Sequence, residues 1–100
     1  MFSFFKRKDT MMMAAKHILV DQEFEAKDLL AKIEQGSTFE QLAGDFSKCP
    51  SAKQGGDLGS FGKGMMVKPF EEAVVNLEVG EVSQPIKTQF GYHLILRTQA

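Results

Sequence analysis

The sequence predicts an α+β fold. Three observations carry this. A β-branched apolar run near the start and an alternating run at the end both bury apolar groups on two faces. Three stripes of helical period lie between them. The order reads strand, helix, helix, short strand, helix, strand, which segregates helices on a small sheet. A strand that is apolar on both faces belongs inside a sheet, so the first and last strands are expected to be central neighbours.

Each element has a local reason. Residues 14–20, AAKHILV, put His17 and Leu19 on one face and Ile18 and Val20 on the other. Asp21 is the expected helix cap, and Ala26, Leu29, Leu30 and Ile33 follow as one stripe. Gly36 suits the C′ position. Thr38 with Gln41 fits a capping box, and Phe39, Leu42, Ala43 and Phe46 repeat the stripe. Residues 47–53, SKCPSAK, break the pattern, with room for a helical turn after Pro50. Residues 57–61 offer a short strand. Pro69 fits the first turn of a helix, and Phe70, Ala73, Val74 and Leu77 give the stripe a third time. Glu71 and Glu72 sit where the helix dipole favours negative charge. Gly80 and Pro85 mark turns. Residues 91–97, GYHLILR, alternate Tyr92, Leu94 and Leu96 against His93, Ile95 and Arg97.

One hundred residues make one domain, and 43% apolar content is enough for a single core. A net charge of -1 supplies no electrostatic footprint for nucleic acid or an anionic membrane. The single cysteine forms no internal disulfide, so nothing asks for an oxidising compartment. No apolar run approaches the ~20 residues that span a bilayer. The expectation is a cytoplasmic monomer. Residues 1–13 are expected to be a flexible tail, since Phe2, Phe4 and Phe5 precede Lys6, Arg7 and Lys8, the reverse of a secretory leader. The domain is then 14–100.

The stretch GGDLGSFGKGMMVKPF at 55–70 holds five of the nine glycines. Glycines this dense allow tight turns and close backbone approach. Leu58, Phe61, Met65, Met66 and Phe70 stand among them, which suits a shaped apolar pocket or, more plainly, part of the core. The loop matches neither glycine-rich phosphate pattern. His17 and His93 occupy matching places on the first and last strands, where paired strands would put both imidazoles on one face. Cys49 is either a small buried hydrophobe or a thiolate beside the histidines. A zinc site lacks the usual ligand spacing, and no group is placed to orient a catalytic base.

Six segments occur in order: HILV from His17, SKCPS from Ser47, GGDLGSF from Gly55, GMMVKPF from Gly64, GEVS from Gly80 and QFGYHLI from Gln89. Together, over residues 15–97, they resemble the parvulin family of peptidyl-prolyl cis/trans isomerases. The resemblance implies a four-stranded antiparallel sheet surrounded by about four helices, FKBP-like, with the histidines on the two central strands. It adds a strand near residues 82–87. By motif match, His17, Cys49, Thr88 and His93 are the catalytic set, expected as one polar network under the pocket. Leu58, Met66 and Phe70 match the proline pocket, and Gln89 and Phe90 the loop beside it. The implied substrates are proline-containing unfolded or flexible polypeptides, with no cofactor and no metal. Phosphate-specific members carry a basic cluster after the first strand. Here that place reads Asp21-Gln22-Glu23, which would repel phosphoserine. Two other classes remain open: a non-catalytic chaperone module using the same pocket, and a cysteine hydrolase.

Overall fold

The computed structural model describes residues 12–99. The elements are β1 (Met12–Val20), α1 (Glu23–Glu34), α2 (Phe39–Phe46), a 3-10 helix (Pro50–Gln54), β2 (Asp57–Gly62), α3 (Lys68–Asn76), β3 (Ile86–Thr88) and β4 (Gly91–Gln99). One antiparallel sheet runs in the order β2-β1-β4-β3, so the two histidine strands are central neighbours. Three α-helices and the 3-10 turn accompany it among the described residues.

The two faces of the sheet build two cores. Ile18, Val20 and Leu94 pack with Ala26 and Leu29 of α1 and Phe39, Leu42 and Ala43 of α2. Met13, Ala15 and Ile95 pack on the other face with Phe61, and with Phe70, Val74 and Leu77 around α3. Period-two alternation along β1 and β4 produces this split. Ile18, Leu94 and Ile95 are fully buried; each such burial contributes about 1.5–3 kcal/mol. His17 and His93 lie on the α3 face.

The structure departs from the sequence reading at four places. β1 begins at Met12, inside the segment expected as tail, because Met12 and Met13 find ladder partners in Gly62 and Phe61. Met13 is therefore core; the rest of the expected tail lies outside the described residues. The cap of α1 is Gln22, whose N–H donates to the Glu25 carboxylate at 2.9 Å. Asp21 instead meets Lys48 at 3.2 Å. The strand expected near 82–87 starts only at Ile86, with Val82 making an isolated bridge to Leu96. Pro85 has no N–H for the ladder, so regular pairing resumes after it. Finally, Phe46 is exposed at the last turn of α2 rather than completing the stripe.

Two contacts fix the frame around the histidines. The His17 N–H donates to the Gly56 carbonyl at 2.9 Å. Gly56 has φ +84°, and a Cβ there would collide with the His17 carbonyl, so only glycine lets the loop lie against β1. Arg97 donates to the Leu77 carbonyl at 2.8 Å and the Val74 carbonyl at 3.2 Å, holding the end of α3 on the sheet.

Candidate active site

β1 and β4 pair with Leu19 opposite His93 and His17 opposite Ile95. The histidines are thus diagonal neighbours on one face. Their rings stack at 5.1 Å between centroids and 20° between planes, and their Nδ1 atoms stand 3.0 Å apart. His93 Nε2 lies 2.8 Å from Thr88 Oγ1, which also accepts from the Phe90 N–H at 3.1 Å. The tight β3–β4 turn makes this possible by bringing Thr88 under His93. Phe70 stands edge-on to both imidazoles, at 5.6 Å from His17 and 5.4 Å from His93.

Counting donors and acceptors assigns the protons. Suppose the Thr88 hydroxyl donates to His93 Nε2. His93 Nδ1–H then donates to His17 Nδ1, and only His17 Nε2 lacks a partner among these groups. The reverse direction would also strand the buried Thr88 hydroxyl hydrogen. Buried polar groups are rarely left unpaired, so the first arrangement is favoured.

Burial holds the His17 pKa down at about 4, and repulsion from a charged His93 adds to the effect. Burial also lowers His93. Both imidazoles are therefore neutral at neutral pH. They present polar atoms to each other while adding no net charge to their surroundings.

Beside them opens a cavity of about 480 Å³. His17, Cys49, Leu58, Met66, Phe70, Phe90 and His93 all line it, so seven of the nine expected site residues converge. Thr88 is buried and reaches the cavity through His93. Gln89 is exposed on the turn and takes no part in the lining. The expected four-member polar network has three members. Cys49 is half-buried, and its hydrogen bond runs through its backbone N–H to Ser47 Oγ at 3.3 Å, not through its thiol. Among the described residues no base stands within hydrogen-bond reach of that thiol, which is what a cysteine nucleophile would need. Among the described residues no group of three or more His, Cys, Asp or Glu is gathered to hold a metal.

Sequence reasoning left Leu19, Lys48, Pro50 and Val67 without a site assignment, yet they line the cavity too, beside Met65 of the glycine-rich stretch. Leu19 had a signal: it shares the His17 face by strand parity. Lys48 had none, because only tertiary pairing brings it there, its N–H donating to the Leu19 carbonyl at 2.8 Å. The glycine-rich loop is held by Glu71, whose carboxylate accepts from the Gly64 N–H at 2.6 Å. That bond uses the acidic first turn of α3 to fix Met65 and Met66 over the cavity.

Known proteins resemble this chain in sequence and in fold. The foldase protein PrsA of Geobacillus kaustophilus is 56% identical over 82 residues, which are 81% of this chain and 29% of that protein. The chain spans less than a third of the length of this curated relative. The crystal structure of the peptidylprolyl isomerase PrsA from Bacillus anthracis superposes with a TM-score of 0.88 at 39% identity, covering 94% of this chain and 46% of that one. The solution structure of NmPin, the parvulin of Nitrosopumilus maritimus, gives a TM-score of 0.80 at 49% identity, covering 88% of this chain and 96% of that one. The rotamase family described as the PPIC-type PPIase domain matches residues 5–99, and the chain belongs to that family, the parvulins.

Proposed function

We propose that this chain accelerates cis/trans rotation about X–Pro bonds in unfolded or flexible polypeptides, and so assists their folding, by a non-covalent route. The observation that carries the reading is the cavity of about 480 Å³, lined by Leu58, Met66 and Phe70 and backed by two neutral, mutually bonded imidazoles. The chemistry fits the difficulty of the reaction. Cis and trans X–Pro differ by only ~0.5–1 kcal/mol, but rotation breaks amide resonance and meets a barrier of ~18–20 kcal/mol. At half rotation the imide loses charge separation; its oxygen is less negative and its nitrogen more pyramidal. An apolar cavity favours that less polar species over the planar ground state.

Gripping the proline ring also fixes one side of the bond while the other turns. A ~10⁵-fold acceleration asks for roughly 7 kcal/mol. Several contacts strengthened together at the twisted geometry supply that without a covalent intermediate. His17, His93 and Thr88 act in this reading as the polar network that shapes the site. Cys49 contributes surface and polarizability rather than a nucleophile. Asp21 and Glu23, after β1, argue against a requirement for phosphoserine before proline.

A refolding assay tests the reading. A model protein whose slow phase is limited by prolyl isomerisation should refold faster with catalytic amounts of this chain. An unchanged slow phase would count against it. Phe90 and Met65, both well exposed at the cavity, also suit a module that only holds extended chains. Such a module would raise the refolding yield and leave the slow rate unchanged.

A further inference from the structure

Among the described residues Lys48 is the one charged side chain that lines the cavity, since both histidines there are neutral. Its backbone is pinned to β1 through the Leu19 carbonyl, next to Cys49. Its ammonium does not stand alone: Nζ lies 3.2 Å from Asp21 Oδ2, on the first residue after β1. Both side chains are more than half exposed, at 52% and 60%. An ion pair this exposed changes an equilibrium by only about two- to fivefold. A charged side chain of a bound peptide can therefore compete with either partner.

We propose that Lys48 and Asp21 are a specificity-determining pair that cancels the charge at the cavity mouth. While the pair is intact, a residue flanking the substrate proline meets a near-neutral rim, so acidic and basic neighbours are accepted alike. Loss of Asp21 leaves an ammonium beside the cavity and favours an acidic neighbour. Loss of Lys48 leaves a carboxylate and favours a basic one. The inference rests on the isomerase reading and deepens it: the client class is set by apolar burial of proline, with charge discrimination suppressed. The docking of residues 47–48 on β1 explains why two residues distant in sequence cooperate. Asp21 directly follows the strand, and the Lys48 N–H donates to the carbonyl of Leu19, near the strand's end.

The test compares kcat/KM for a Glu-Pro and a Lys-Pro tetrapeptide, with a Leu-Pro peptide as reference, in the full chain. The variants are Asp21→Asn, Lys48→Gln and the double substitution. In the parent chain the Glu/Lys ratio should lie within about twofold of unity. Asp21→Asn should raise it about two- to fivefold, Lys48→Gln should lower it by a similar factor, and the double variant should return it towards the parent value. The opposite shifts should shrink in about 0.5 M salt, because both groups are exposed. A ratio that stays put in both single variants overturns the proposal, as does a shift of the same sign in both. If the parent chain turns over none of the peptides, the isomerase reading fails separately. The same opposite shifts are then required of the Kd values for these peptides, and their absence overturns the rim proposal as well.

Discussion

His17 and His93 meet through their Nδ1 atoms at 3.0 Å, so one imidazole must offer a lone pair where the other offers a proton. That single contact ties the site to pH, to Thr88 and to the central pairing of β1 with β4.

The pH dependence follows from the lowered pKa of His17. In the unfolded chain it titrates near 6.5; in the folded chain it does so at about 4. A depressed histidine pKa means that the unfolded chain binds the proton first. The associated stability is fully present above pH 6.5 and is lost as the pH falls from there towards 4. The loss from His17 should reach about 3 kcal/mol at its limit, and His93 should add in the same direction. Urea denaturation at neutral pH and at about pH 4.5 measures it. Equal stability at the two values would contradict neutral buried imidazoles.

Thr88→Val keeps the shape and removes the hydroxyl. His93 Nε2 and the Phe90 N–H then lose their partner together. The buried His93 nitrogen left unpaired costs about 1–3 kcal/mol, and the part-buried Phe90 N–H costs less. The parent chain should show the Nδ1–H tautomer of His93 in long-range proton–nitrogen spectra, and the variant should lose that preference. A tautomer pattern that is the same in both chains would refute the proton assignment.

The cavity wall should matter more than the thiol. Met66→Ala and Phe70→Ala should each lower kcat/KM on a proline tetrapeptide by about tenfold or more, and Cys49→Ala by less. Phe70 is also core, so Phe70→Ala should cost about 3–5 kcal/mol of stability, checked alongside by denaturation. Cys49→Asp should retain turnover. Complete loss in Cys49→Asp with the fold intact would revive a covalent route.

Gly56 and Gly59 both have positive φ, at +84° and +70°, but only Gly56 abuts β1. Gly59→Ala should cost about 1 kcal/mol from backbone strain alone. Gly56→Ala should cost clearly more and disturb turnover, because the loop bearing the 3-10 helix must move off His17. Thermal denaturation of both variants checks the order; equal losses would mean that the close approach is unimportant.

Much of this was legible from period and parity. The three helical stripes fell on α1, α2 and α3, and alternation in residues 91–97 marked β4. Parity also placed His17 and His93 on one face once the strands were taken as neighbours. What stayed hidden depends on partners far along the chain. Met13 is strand because Phe61 lies opposite. The isolated bridge of Val82 to Leu96, ahead of Pro85, is set by the partner strand. Gln22 rather than Asp21 caps α1, and Asp21 instead meets Lys48, 27 positions away. The separation of the Cys49 thiol from the histidine network is likewise set by how residues 47–49 dock on the edge of β1, which no local pattern encodes.

The most direct measurement is magnetisation transfer between the cis and trans proline signals of a Leu-Pro peptide at catalytic concentrations of the chain. The account predicts faster exchange with an unchanged cis/trans ratio, and sharply slower exchange with Met66→Ala. Peptide binding seen as shifted resonances, with exchange no faster than in buffer, would contradict it.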